Sequence, residues 1–312
     1  LTATLCIGPY PDTERAALQA DFAPLFARSL AEALALPAEV RARVAALAYR
    51  SGQALDGAAM AAFPALRLVA NYGVGYDAID VAAARARGIA VTNTPDVLSD
   101  DVADLAVALL LMQGRRLVQG DALVRSGRWA AGEGFALNRK ISGGRAGILG
   151  LGRIGREIAN RLAAFRMDIH YWSRHEKDTP GWTWHADPVS LAGAVDYLIV
   201  ALVGGKETAG MVSAEVLEAL GPRGILINIA RGSVVDEPAL LDALEQGRIA
   251  GAGLDVFWNE PQVNPRFLAL DTVVLQPHQG SGTVETRAAM AALQRGNIAA
   301  LHAGRPLPTP VP

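Results

Sequence analysis

Short apolar runs alternate along the chain with stretches in which apolar residues recur every three or four positions. That is the pattern of buried parallel strands joined by crossover helices. In the first third, the runs at residues 2–7, 44–48, 66–70 and 89–92 predict strands, with helical stretches from about Asp12, near Leu55 and near Ile79. Pro9 and Pro11 break the chain after the first strand, Gly88 caps the helix ending at Arg87, and Thr94-Pro95 closes the last strand. From Ser99, a residue suited to an N-cap, to about Ser126, the spacing predicts one long helix, crowded with Val102, Leu105, Ala106, Leu109, Leu110 and Met112. A helix so apolar must be covered on more than one side, so it is expected to link two domains and to meet a second subunit. Trp129 is expected to be a packed residue of the arm that follows it.

Further strands are predicted at residues 146–149, 169–172, 196–200, 225–229, 252–256 and 272–275, with helical stretches at 213–220 and 237–246. A final helix at 284–301 has no strand after it and is expected to return to the first domain. The tail 306–312 carries four prolines and is expected to form no regular structure.

Between the strands at 146–149 and 169–172 lies Gly150-Leu151-Gly152-Arg153-Ile154-Gly155, a G-x-G-x-x-G turn opening an amphipathic helix with Ile154, Ile158, Leu162 and Phe165 on one face. In that setting one glycine permits the tight turn, the next lets backbone approach a pyrophosphate, and the third lets helix pack on strand. Helix amides then face the phosphates. About 20 residues further on, binders of NAD usually carry an acid for the ribose 2′-hydroxyl. Here Ser173 and Arg174 stand there, a hydroxyl and a guanidinium suited to a 2′-phosphate, so NADP(H) is expected over NAD(H). Asp168 comes too early to play the acid. The architecture expected is α/β, with two doubly wound parallel-sheet domains. A Rossmann cofactor domain, 97–283, with its dimerisation helix and arm, is inserted in a discontinuous substrate domain, 1–96 and 284–312.

Composition narrows the function classes. Lys plus Arg at 29 against Asp plus Glu at 31 gives no field that would draw nucleic acid or an anionic membrane. Cys6 is the only cysteine, so neither an intramolecular disulfide nor a cysteine metal cluster can form. No apolar run approaches 18 residues, and a cytoplasmic protein without a metal is expected.

In open α/β sheets ligands sit beyond the carboxyl ends of strands. Arg231, Glu260 and His278 each follow a predicted strand, and together they suit reduction of a 2-oxo acid. An arginine can grip carboxylate and ketone oxygens, a histidine can donate the proton, and a neighbouring carboxylate favours the imidazolium. Singly, each is more often structural.

Taken with Gly73-Val74-Gly75-Tyr76-Asp77-Ala78-Ile79-Asp80, Asn228-Ile229-Ala230-Arg231-Gly232-Ser233-Val234-Val235-Asp236-Glu237 and Pro277-His278-Gln279-Gly280-Ser281, the chain resembles the D-2-hydroxyacid dehydrogenase family over nearly its whole length. Within it the likeness is greatest to NADPH-preferring glyoxylate/hydroxypyruvate and hydroxyphenylpyruvate reductases. The resemblance implies that Arg231 orients substrate and that Glu260 pairs with His278, the acid in reduction and the base in oxidation. It also implies that Val74 and Gly75 present amides to the substrate carboxylate, with Ser281 beside the substrate. Asp255 would hold the nicotinamide carboxamide, Ala230 would also touch the cofactor, and Gly152, Arg153 and Ile154 would wrap its pyrophosphate. Ala201-Leu202-Val203-Gly204-Gly205-Lys206 departs from the family's usual loop. Arg50, Ser51 and Val74 are candidates for shaping the pocket. A small 2-oxo acid is the expected substrate and a homodimer the expected assembly. A short phosphoglycerate dehydrogenase and a dinucleotide-sensing corepressor are the alternative readings.

Overall fold

A computed structural model describes residues 3–312, which fall into two compact units, one of residues 3–97 and 284–312, the other of residues 98–283. The first holds five strands: β1 (Ala3–Ile7), β2 (Leu25–Ala27), β3 (Val44–Tyr49), β4 (Leu68–Asn71) and β5 (Ala90–Thr92). They form one sheet in the order β2-β1-β3-β4-β5, every pairing parallel. Both faces are buried, as parallel sheets require. Along β3, Leu47 and Tyr49 join the core on one face while Ala46 and Ala48 join the core on the other. The last helix, Val284–His302, lies on the second face, where Ile298 packs with Ala46, Ala48, Leu68 and Ala70.

The helices expected near Leu55 and near Ile79 are found at Gly57–Ala61 and Val81–Ala86, each just after one partner of a Leu55–Ile79 bridge. The proline tail forms no helix or strand, as expected, but it is tied to the sheet edge: Thr92 and Pro310 form an isolated antiparallel bridge, and the Val311 amide donates to the Val91 carbonyl at 2.8 Å. Proline is tolerated there because Val311 supplies the amide and Thr309 the carbonyl, which accepts from the Asn93 amide. The strand β2 and the helices Leu30–Leu34 and Ala38–Arg41 are too short for a period to reveal.

The second unit contains β6 (Arg145–Leu149), β7 (Asp168–Trp172), β8 (Thr183–His185), β9 (Tyr197–Val200), β10 (Ile225–Asn228), β11 (Gly251–Leu254) and β12 (Val273–Leu275). Their order is β12-β11-β10-β9-β6-β7-β8, all parallel. Order reverses between β6 and β9, and crevices at such switch points hold ligands. The expected long helix is two, Ser99–Gly114 and Leu117–Arg125, broken where Arg116 takes a left-handed φ of 50°. Ser99 is the first helical residue and caps nothing; Leu98 holds the cap position. Trp129, expected to be packed, is 62% exposed. Among the described residues no helix is long and apolar enough to cross a membrane, and no cluster of His, Cys, Asp and Glu could hold a metal.

Candidate active site

The glycine turn after β6 is built by close approach. Gly150 has φ 107°, open to glycine, and a Cβ there would lie 2.8 Å from the Ala201 carbonyl after β9. Gly155 sits against the Gly150 carbonyl with no room for a Cβ. Gly152 differs: a Cβ there would meet nothing, and it heads the helix Arg153–Ala164 without a side-chain cap. Gly152 thus offers no side-chain oxygen to the first turn of that helix, and helix N-terminal amides suit a pyrophosphate. A dinucleotide fits this turn.

At the end of β7, Ser173 is buried and its hydroxyl donates to the His175 carbonyl at 2.5 Å. Donation from Ser173 to a 2′-phosphate would exchange this bond for one to the phosphate. Arg174 is exposed beside it.

Arg231 follows β10 in a loop clamped by buried Asn228, whose Nδ2 donates to the Arg231 carbonyl at 3.0 Å and whose Oδ1 accepts from the Ala230 amide at 3.0 Å. The Arg231 guanidinium donates to the Ala230 carbonyl at 2.8 Å. Gly232 then lies flat on Phe257 and Trp258, where a Cβ would overlap the Phe257 carbonyl. This contact brings the arginine loop onto the turn that carries Glu260. Glu260 Oε1 accepts from the Phe257 amide at 2.9 Å, and Oε2 lies 2.6 Å from His278 Nδ1. Burial works against the Glu260 charge, yet the His278 bond and charge, the Phe257 amide and Arg231 together hold its carboxyl below the usual range. An ionised carboxylate only accepts, so Nδ1 carries the proton and Nε2 is left for another partner. His278 has φ 54°, and its loop is fixed by Asp255, whose oxygens accept from the Gln279 and Gly280 amides at 2.6 and 2.8 Å. Burial raises the Asp255 carboxyl in spite of these two bonds. Ser281 is half-buried in the same loop.

The loop after β9 is strapped to the arginine loop. Thr208 Oγ1 donates to the Val203 carbonyl at 2.6 Å, the Gly210 amide to Ser233 at 2.9 Å, and the Val212 amide to Val234 at 3.0 Å.

In the first unit, the loop after β4 turns its carbonyls inward. Asn71 Nδ2 donates to the Gly73 and Gly75 carbonyls at 3.1 and 2.9 Å, and Asn93 Nδ2 to the Val74 carbonyl at 2.9 Å. In a trans peptide the N–H points opposite to the C=O, so the amides of residues 74–76 face away from these asparagines. Arg50 is held by Glu14 at 2.6 Å and lies over the Tyr72 ring, so its charge is already compensated. Burial and Glu14 push the Tyr72 hydroxyl up to about 12. Ser51 accepts from the Gln53 amide at 3.2 Å.

A model of a protein family described as D-isomer specific 2-hydroxyacid dehydrogenase, NAD binding domain, matches residues 107–280, a span that takes in the glycine turn, Arg231, Glu260 and His278. The chain belongs to the D-isomer specific 2-hydroxyacid dehydrogenase family. It is 48% identical to hydroxyphenylpyruvate reductase of Plectranthus scutellarioides, over 89% of this chain and 88% of that protein. It is 46% identical to glyoxylate/hydroxypyruvate reductase A of Arabidopsis thaliana, over 87% and 86%. The NADPH-dependent glyoxylate/hydroxypyruvate reductase of Sinorhizobium meliloti, solved with NADP and malonate, superposes with a TM-score of 0.94 at 43% identity, covering 100% of this chain and 97% of that one. As a D-2-hydroxyacid dehydrogenase, the chain is an NAD(P)-dependent oxidoreductase with two parallel-sheet α/β units.

Strand-end residues of this dehydrogenase were legible in the sequence; the residues that hold them were not. The sequence does not reveal that Asn228 clamps the Arg231 loop, that Asp255 accepts from two amides, or that Glu237 accepts from the Trp258 amide at 3.4 Å and from Asn264 at 3.2 Å. A buried polar residue at a strand end, as at Asn228, is the one signal that pointed to them.

Proposed function

We propose that this dehydrogenase reduces a small 2-oxo acid of the glyoxylate/hydroxypyruvate type to the D-2-hydroxy acid, with NADPH preferred over NADH. The observation that carries the reading is the 2.6 Å Glu260–His278 pair, which leaves Nε2 free, on a turn braced against the Arg231 loop. When bound, NADPH supplies a hydride to the carbonyl carbon. Arg231 orients the substrate through its carboxylate and ketone oxygens. His278 delivers the Nε2 proton to the developing alkoxide, while Glu260 keeps Nδ1–H in place. In oxidation the neutral Nε2 takes the proton back. The amides of Val74 and Gly75 receive the substrate carboxylate, and Ser281 lies beside the substrate. Gly150, Gly152, Arg153, Ile154 and Gly155 hold the pyrophosphate, Ala230 and Asp255 meet the nicotinamide half, and Arg174 meets the 2′-phosphate. The NADPH-dependent relative supports this cofactor choice. The relative named hydroxyphenylpyruvate reductase makes a larger aromatic 2-oxo acid the second substrate to try.

The residues of 97–283 act as the cofactor domain and those of 1–96 with 284–312 as the substrate domain. Exposed apolar side chains along the arm support a homodimer, and a free, buried Cys6 supports a reducing, cytoplasmic setting.

The test is a panel of 2-oxo acids with both cofactors. Glyoxylate or hydroxypyruvate should turn over at about one per second or faster, with kcat/KM for NADPH at least roughly tenfold that for NADH. Arg174→Ala should erase most of that preference. No turnover on any 2-oxo acid would leave a dinucleotide-sensing binding protein, and equal use of both cofactors would remove Arg174 from the 2′-phosphate.

A further inference from the structure

The proline tail reaches the substrate loop through an unbroken chain of hydrogen bonds. Thr309 Oγ1 donates to the Asn93 carbonyl at 2.6 Å and accepts from Asn297 Nδ2 at 2.9 Å. The Thr309 amide donates to Asn297 Oδ1 at 3.2 Å, and the Asn93 amide to the Thr309 carbonyl at 3.3 Å. Asn93 Nδ2 then holds the Val74 carbonyl at 2.9 Å. Asn297 is fully buried and spends its other amide hydrogen on the Leu293 carbonyl at 2.9 Å, so it has no freedom to turn. Pro308 and Pro310 fix the backbone on either side of Thr309. Asn93 is thus gripped at its amide and its carbonyl by one residue of the tail, and its side chain grips the loop.

We propose that Thr309, clasped by Asn297, is a positioning residue for substrate: it fixes Asn93, which keeps the Val74 carbonyl turned inward and the Gly75 amide turned toward the substrate carboxylate. The amide follows the carbonyl because the peptide between residues 74 and 75 is planar, so a loop that lets the Val74 carbonyl swing misaims the Gly75 amide by the same angle. This rests on the reading that residues 74 and 75 bind the substrate carboxylate. Proximity of this kind is sensitive: a misplacement near 1 Å far from the chemistry is enough to lose much of the rate.

The experiment compares Thr309→Val, Thr309→Ser, Asn297→Asp and Asn93→Ala with the parent as full-length holoenzyme. KM and kcat for hydroxypyruvate, the inhibition constant of oxalate, the NADPH dissociation constant by fluorescence, and the melting temperature are measured for each. Thr309→Val keeps the shape and removes the hydroxyl. It should raise KM and the oxalate constant roughly five- to tenfold, the loss expected of one hydrogen bond, with NADPH binding unmoved. Thr309→Ser keeps both hydroxyl bonds and should restore parent values. Asn297→Asp, which removes the donor to Thr309, should repeat the Thr309→Val split and serves if that variant fails to fold. A lower melting temperature with KM and the oxalate constant unchanged would overturn the proposal and leave the clasp a purely structural device. Asn93→Ala separates the two readings. If it raises KM and neither Thr309→Val nor Asn297→Asp does, the clasp is refuted and the loop reading stands. If Asn93→Ala itself leaves KM and oxalate binding unmoved, the loop does not take the carboxylate and both fall.

Discussion

A methyl group at residue 232 would overlap the Phe257 carbonyl, so it is the bare glycine that lets the Arg231 loop lie on the turn carrying Glu260. Gly232→Ala must therefore move backbone, for about 1–3 kcal/mol, and should lower kcat/KM for the 2-oxo acid at least roughly tenfold by displacing Arg231 from Glu260. Unchanged kinetics in a folded Gly232→Ala protein would mean that the two loops act independently. Glu260 invites a second test at this scale. Its carboxyl is held below the usual range by His278 and Arg231 against the cost of burial, so it stays ionised through the neutral range. Glu260→Gln replaces the ionised acceptor of the His278 Nδ1–H with a neutral amide. It should lower kcat for reduction about 10- to 100-fold while leaving NADPH affinity unmoved. An unchanged kcat would show that Glu260 does not act through His278. Arg231, Glu260 and His278 could be found from the sequence because each is a charged residue beyond a strand. Asn228 and Asp255 could not be read fully, because spacing does not say which backbone amides a buried side chain will meet.

Helices and strands were legible where they run long and alternate cleanly, as in β3, β6 and the helix Arg153–Ala164. They were misread where an apolar stripe continues across a break. Leu117 and Val118 follow the left-handed turn at Arg116 and prolong the pattern of Ser99–Gly114, yet they belong to a second helix facing elsewhere. That second helix and its arm leave Leu117, Val118, Val124, Trp129, Phe135 and Leu137 exposed, the last at 101%. So many large apolar side chains in one segment form a patch of the kind that marks an interface. We expect a dimer by light scattering at micromolar concentration and a monomer for Val118→Glu combined with Val124→Glu, because two charges buried without partners oppose association. A parent that scatters as a monomer would refute the dimer, and a double variant that remains dimeric would put the interface elsewhere.

At the scale of the whole molecule, each unit carries a partly buried histidine that resists protonation. His185, at the end of β8, is lowered by burial and by His170, whose Nδ1 lies 2.9 Å away, against the opposing charge of Asp187. His302, in the last helix, is lowered by burial and by Arg67, and its Nε2 meets Thr4 Oγ1 at 2.9 Å. A histidine whose folded value is depressed is neutral in both states above about 6.5. Below that the unfolded chain binds the proton first, so stability is present in full above 6.5 and is lost as pH falls toward the folded value. Two carboxyls extend the loss into stronger acid. Burial opposes the charge of Asp196, but the Arg145 amide and the Arg145 and Arg139 guanidinium groups outweigh it and hold the carboxyl low; Glu260 is low for the reasons given above. Their contribution is present above the ordinary carboxylate value, near 4, and disappears as pH falls through their folded values. The denaturation midpoint should accordingly be level near pH 7–8, decline from about 6.5, and decline again below about 4. With two compact units the transition need not be single, so both signals are followed by tryptophan fluorescence and circular dichroism across pH. His185→Gln combined with His302→Gln should remove most of the decline between about 6.5 and 5 while leaving the lower step. A double variant whose midpoint still falls as steeply through that window would show that these two histidines are not its cause.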